Sequence, residues 1–218
     1  MIELRNLCKS YVVNGQRKRV FDNLSLVLPT GQSVALLGRN GAGKSTLLSI
    51  IAGSTPPTSG QVLSDGSISF PVGFAGSFHG DLTGAQNVRF VARIYGVDAD
   101  ELVDFAADFS ELGRNMHVPF RTYSSGMKSR LAFGVSMGIA FDTYLVDEVT
   151  AVGDASFRAK SSRLFRDRMR NASAIFVSHG LGEVRELCTA AVVLEGGCAT
   201  YYPDIEEGIE AHRRNMAA

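Results

Sequence analysis

The segment Gly38-Arg-Asn-Gly-Ala-Gly-Lys44-Ser45-Thr46 constrains this chain more than any other feature. It fits the spacing G-x-x-x-x-G-K-[ST], it follows the apolar run Ser33–Leu37, and Leu47, Leu48, Ile50 and Ile51 continue it at helical spacing. A strand, a glycine-rich loop and a helix in that order build an anion cradle. Glycines let backbone N–H groups turn inward, and a helix N-terminus favours negative charge. The phosphate-binding residues expected are Gly38, Arg39, Asn40, Gly41, Ala42, Gly43, Lys44, Ser45 and Thr46. Lys44 is placed to reach the outer phosphates of a nucleoside triphosphate, and Ser45 to ligate Mg²⁺.

The rest of the chain suits a core around that loop. Tyr144–Val146, Ala174–Val177 and Ala191–Leu194 are short apolar runs of the kind buried on both faces of a parallel sheet. Helical patterns separate them, including residues 155–170 with Phe157, Leu164, Phe165 and Met169 on one stripe. The first sixty residues read differently: Leu24–Leu28 alternates, and Gly15, Pro29–Gly31 and Pro56–Gly60 punctuate turns. The fold class expected is therefore α/β, a P-loop core with a parallel sheet and an antiparallel β layer beside it. Residues 82–140 add an inserted helical subdomain, with a capping box at Asp98 and Glu101 and a core stripe of Leu102, Phe105, Ala106, Phe109 and Leu112. The whole of 1–218 reads as one domain.

Composition excludes several function classes. The 22 basic residues balance 22 acidic ones, which disfavours a broad nucleic-acid footprint. Cys8, Cys188 and Cys198 are too widely spaced for a zinc site, and a reducing compartment is expected. The longest apolar stretch, Leu131–Phe141, is far below the ~20 residues a membrane span needs, and no leader pattern opens the chain. Arg17–Arg19 and Arg163, Arg166, Arg168 and Arg170 read as solvated faces, Lys128 and Arg130 as packing or pairing on their helix, and His117 and His212 as surface residues.

Two further segments carry chemistry. Thr143-Tyr-Leu-Val-Asp147-Glu148 is an apolar strand ending in adjacent carboxylates. Asp147 can hold the Mg²⁺ shell, and Glu148 can accept a proton from an attacking water. His179 ends the next strand, AIFVSH, at the sheet edge where ligands bind, within reach of a γ-phosphate.

Between them, Tyr123-Ser-Ser-Gly-Met127 opens a helix. With the P-loop before it and the Asp-Glu strand after it, the chain resembles the ATP-binding-cassette (ABC) ATPases over residues 2–202. YSSGM stands where that family carries its Leu-Ser-Gly-Gly-Gln signature. The resemblance implies that Ser124 and Gly126 grip the ATP held by an opposite subunit, in a homodimer formed on ATP binding. It implies that Asp154, the last residue of Ala151-Val-Gly-Asp154, belongs to the D-loop, and that Tyr11 stacks on adenine. The segments LLGRNGAGKSTLL, SFHGDLTGAQNVRFVARIYG, FSELG, YSSGMKSRLAFG and YLVDEVTAVGDASF resemble in particular the capsular-polysaccharide export ATPases of Gram-negative bacteria. That likeness implies ATP and Mg²⁺ as cofactors, an ABC-2 type membrane permease as partner, and a peripheral place on the cytoplasmic face of the inner membrane.

One residue departs from that branch. Phe78-His79-Gly80-Asp81-Leu82-Thr83-Gly84 carries His79 where capsule exporters have glutamine, which is closer to some O-antigen and teichoic-acid exporters. His79 is expected to couple the nucleotide site to the membrane subunit, in a loop made mobile by glycines 73, 76, 80 and 84. Fewer than forty residues follow His179, so no appended carbohydrate-binding domain is expected. The alternatives are an O-antigen or teichoic-acid exporter, a soluble non-transport ABC ATPase, or a P-loop kinase or GTPase. The last leaves the signature and Ser178-His179 unexplained.

Overall fold

The computed structural model describes residues 1–74, 76, 78–147, 154–178 and 180–217. These divide into two units. Unit 1 comprises Met1–Pro71, Phe141–Val149 and Asn171–Ala218, and unit 2 comprises Val72–Ala140 and Thr150–Arg170.

Unit 1 is built on two sheets. β1 (Ile2–Val13) lies between β2 (Gln16–Leu28) and β4 (Ser59–Ser64) in an antiparallel three-stranded sheet. The β1–β2 hairpin turns on Asn14-Gly15, both at positive φ (52° and 76°), as a tight two-residue turn requires. The second sheet has the order β5-β6-β7-β3-β8-β9. β5 (Ile68–Pro71), β6 (Thr143–Asp147), β7 (Ser173–Val177), β3 (Val34–Gly38) and β8 (Ala190–Glu195) pair in parallel, and β9 (Cys198–Tyr202) closes the edge antiparallel to β8. Parallel pairing needs crossovers, which explains why the central strands are uniformly apolar while Leu24–Leu28 alternates. Leu4, Leu7, Phe21, Leu36, Leu47, Leu145, Val192 and Leu194 form the core, none more than 2% exposed. Each such side chain contributes about 1.5–3 kcal/mol by burial. α1 (Lys44–Ile51), α6 (Leu181–Leu187) and α7 (Ile205–Ala217) complete the unit.

Unit 2 is helical: α2 (Gly84–Tyr95), α3 (Ala99–Ser110), two short 3₁₀ turns, α4 (Ser125–Gly138) and α5 (Ala155–Met169). It starts earlier than residue 82 and includes α5. The aromatic contacts explain that inclusion: Phe109 of α3 packs on Phe133 of α4 and Phe157 of α5 at 5.7 and 5.2 Å. Of the expected stripe, Leu102, Ala106 and Phe109 are buried on α3 and Leu112 just beyond it, while Phe105 is half-buried. The capping box is elsewhere. Asp98 caps α3 by accepting from Asp100 N and Glu101 N, whereas the reciprocal box is Thr83 with Gln86, at the start of α2.

Candidate functional site

The phosphate loop leaves β3 at Gly38 and enters α1 at Lys44. Two glycines show why the sequence cannot vary there. A Cβ on Gly38 would stand 2.7 Å from the Leu194 carbonyl oxygen. Gly43 sits at φ 103° as the N-cap of α1, and a Cβ would strike Val20 at 2.7 Å and Phe21 at 2.8 Å. Ala42 N donates to Arg39 O at 3.0 Å, and Leu47 N to Gly43 O at 2.8 Å, so the loop passes into the helix without a break. No acidic residue stands in the first turn of α1, which leaves its N-terminus open to an anion. Lys44 Nζ donates to the carbonyls of Gly38 (2.7 Å) and Arg39 (3.2 Å), the loop's own acceptors.

A cleft of about 450 Å³ opens on this loop, lined by Tyr11, Val13, Lys18, Val20, Asn40, Gly41, Gly43, Lys44, Ser45, Thr46, Asp147 and Val177. Asp147 reaches it because β6 pairs with β7 in the register Asp147↔Val177, which ends both strands at one edge. Tyr11 is 40% exposed, with the Lys9 ammonium 4.8 Å from its ring centroid. Ser45 and Asp147 offer hard oxygen donors in the same cleft, and that chemistry suits Mg²⁺. Gly38, Arg39 and Ala42 line a second cleft of about 260 Å³ on the loop, together with Leu194, Glu195, Gly196, His212 and Asn215. His212 is thus half-buried beside the phosphate loop rather than a surface residue, because α7 packs closely on β8: a Cβ on Gly208 would stand 2.4 Å from the Ala191 Cβ.

Lys18, which reads in sequence as part of a solvated face with Arg17 and Arg19, lines the cleft opposite Tyr11 in the hairpin register. The Asn14-Gly15 pair was the available signal. Counting outward from that turn gives Val13↔Gln16, Val12↔Arg17 and Tyr11↔Lys18.

The other site candidates belong to unit 2 or lie outside the described residues. Glu148 and His179 are in the latter class, as are residues 151–153. β7 ends at Val177, and just beyond it Ser178 Oγ donates to Glu183 Oε2 and accepts from Gly180 N, both at 3.0 Å. Ser124 is the N-cap of α4, accepting from Met127 N at 3.2 Å, and is exposed together with Ser125 and Gly126. Among the described residues, and apart from its own helix backbone and chain neighbours, nothing stands closer than 4.0 Å to a Cβ placed on Gly126, so this helix start is open to an approaching anion. Asp154 caps α5 through Phe157 N (3.0 Å) and Ser156 Oγ (2.9 Å), and these hydrogen bonds hold its carboxyl below the usual range.

His79 is exposed, but its loop is tied down. The buried Asn87 side chain accepts from His79 N at 2.7 Å and donates to His79 O at 3.0 Å. Phe78 packs edge-on to Phe120 at 5.1 Å, Arg121 N donates to Gly80 O, Phe120 N donates to Leu82 O, and Arg121 pairs with Asp81. The mobility expected from the glycines is not what Gly84 provides. Gly84 is buried at the start of α2, where a Cβ would stand 2.3 Å from the Tyr123 hydroxyl; its role is close packing. His79 Nδ1 accepts from Asp81 N at 3.3 Å, which leaves Nε2 as the donor facing outward.

Residues 21–151 match the ABC transporter family. The chain is 47% identical over 216 residues to the polysialic acid transport ATP-binding protein KpsT of Escherichia coli, covering 98% of this chain and 96% of the relative. It is 42% identical over 210 residues to the capsule polysaccharide export ATP-binding protein CtrD of Neisseria meningitidis serogroup B, covering 96% of this chain and 97% of that one. The dimeric post-hydrolysis structure of the ATP-binding cassette MJ0796, bound to ADP and Pi, superposes with a TM-score of 0.75. At 21% identity, over 94% of this chain and 99% of that one, this likeness concerns the fold. A phosphate loop, an acidic strand end and an aromatic hairpin converge on one cleft, and the family match spans more than half of the sequence. The chain belongs to the ABC transporter family, whose cassettes bind and hydrolyse ATP.

Proposed function

We propose that this chain is the ATP-hydrolysing subunit of an ABC exporter that drives a capsular or related surface polysaccharide across the inner membrane. The observation that carries the substrate class is the near-full-length identity to two proteins named for polysialic acid transport and capsule polysaccharide export. The cleft supplies the chemistry. Lys44 and the loop amides bind the phosphates, Tyr11 stacks on adenine, and Ser45 and Asp147 hold Mg²⁺, which when bound neutralises charge on the phosphates. Glu148 takes the proton of the attacking water, and His179 contacts the γ-phosphate. Ser124, Gly126 and Asp154 come from a second copy, so that two chains sandwich two ATP molecules.

The polymer path is assigned to a separate membrane subunit of the ABC-2 type, with this chain peripheral on the cytoplasmic face and His79 in the coupling loop. Among the described residues, no helix is long and apolar enough to cross a membrane. The test uses cells carrying Glu148→Gln or Lys44→Ala. Glu148→Gln keeps ATP binding, lowers turnover by roughly 10²–10⁴-fold and accumulates an ATP-bound dimer. Lys44→Ala loses binding itself. Both abolish polysaccharide at the cell surface; surface polymer at wild-type level in either strain overturns the export function.

A further inference from the structure

The guanidinium of Arg130, in the second turn of α4, is held in three directions. Nη2 donates to Asp154 Oδ2 at 2.9 Å, Nη1 faces Glu111 Oε2 at 3.5 Å, and the guanidinium carbon lies 4.5 Å from the centroid of the Phe157 ring. The side chain is 22% exposed, so this fork is partly desolvated. Both carboxylates that it meets are themselves fixed. The other oxygen of Asp154 caps α5. Glu111 ends α3 at φ 58°, a left-handed position where glycine costs least, and its carboxylate is shared with Lys160 Nζ at 2.8 Å.

A residue needed only for packing over Phe157 could be apolar, and the Asp154 and Glu111 carboxylates, 63% and 51% exposed, would stay hydrated without it. The geometry instead demands a planar donor that can lie on a ring while reaching two carboxylates. Lysine, a point charge on a flexible stem, does not provide that. The elements joined are the helix that begins at Ser124 and the cap of the helix that begins after Asp154. These are the two parts of unit 2 assigned to the nucleotide of the opposite subunit.

We propose that Arg130 is a positioning residue: its fork holds the Asp154 cap of α5 to α4, so that Ser124 and Asp154 meet the ATP of a second copy as one rigid element. This rests on the reading that Ser124 completes the site of the opposite chain, and the experiment separates the two. Arg130→Met keeps an apolar stem over Phe157 and removes the fork. Arg130→Lys keeps the charge but cannot lie on the ring while reaching both carboxylates. Each variant, full-length and with a wild-type circular dichroism spectrum, is expected to bind a fluorescent ATP analogue within twofold of wild type. Each is expected to lose roughly ten- to hundredfold in turnover, the scale of an ångström-sized misplacement.

Mixing supplies a readout that a folding defect would not give. A Lys44→Ala chain paired with an Arg130→Met chain concentrates both lesions in one composite site and leaves the other intact, so ATPase activity returns. A Lys44→Ala chain mixed with a Ser124→Arg chain is the control for the shared site. Recovery in both mixtures supports the positioning role. Recovery with Ser124→Arg but not with Arg130→Met places Arg130 in its own chain's site or in folding alone, and overturns the proposal. No recovery in either mixture overturns the shared site and the proposal with it. Turnover of Arg130→Met within twofold of wild type also overturns it.

Discussion

Asn87, which the sequence did not single out, is the clamp of the His79 loop, and its replacement tests that role directly. The residue is 1% exposed. Its Oδ1 accepts from His79 N at 2.7 Å, and its Nδ2 faces His79 O (3.0 Å), Thr83 O (3.1 Å) and Leu82 O (3.3 Å). An amide nitrogen carries two protons, so these four contacts amount to three full hydrogen bonds. Asn87→Leu keeps the shape and removes all three, leaving His79 N–H without its acceptor in a partly buried place. At about 1 kcal/mol for each bond, the expected loss is about 3 kcal/mol.

Asn87→Asp keeps the acceptor but turns a negative charge toward three carbonyl oxygens. That carboxyl titrates above its unfolded value, because both burial and the carbonyls disfavour the charged form. The sign follows: the penalty is full at pH 7 and shrinks on acidification, as the neutral acid regains one donor. The assay is urea denaturation followed by circular dichroism at pH 7 and pH 5 for the three proteins. A Leu variant within ~0.5 kcal/mol of wild type refutes the reasoning. So does an Asp variant whose deficit grows as the pH falls.

Lys18→Ala is expected to weaken ATP binding roughly two- to fivefold, the scale of one exposed charge contact, and by more at low salt; unchanged affinity at low salt would remove Lys18 from the site. His79→Ala should leave ATP affinity intact while hydrolysis in membranes no longer exports polymer, and His79→Gln should retain much of the export. Wild-type capsule in His79→Ala cells would make this histidine a surface residue only. Burial pushes the Cys188 thiol up to about 12. At pH 8, the native protein should therefore alkylate at exposed Cys198 and spare Cys188 until denaturant is added. Equal labelling of the two in the native state would contradict the core placement of Cys188.

The legible features were the local or periodic ones. The phosphate loop could be read because every residue from Gly38 to Thr46 acts through backbone geometry and contact with its immediate neighbours. The central strands could be read because burial on both faces leaves uniformly apolar runs such as Val34–Leu37 and Ala174–Val177. The α3 stripe was legible for the same reason, through its helical period. The position of the cap at Asp98 was legible too, but not its one-sidedness, since whether Glu101 reaches back depends on what else surrounds it.

By itself, the sequence determined a P-loop core, an acidic edge at Asp147 where the parallel strands end, and a helix opening at Ser124. All three follow from residue type at fixed spacing. Only the tertiary structure decided that Lys18 lines the cleft on the phosphate loop, that His212 is half-buried beside that loop, that Gly84 serves close packing against Tyr123, and that Arg130 meets Asp154. In each case the partner is distant in the chain or on a facing strand: α7 packed on β8 for His212, a tyrosine 39 positions away for Gly84, and a cap 24 positions away for Arg130. Such pairs are set by how elements pack: a helical period shows which face is buried but carries no record of which neighbour that face will meet.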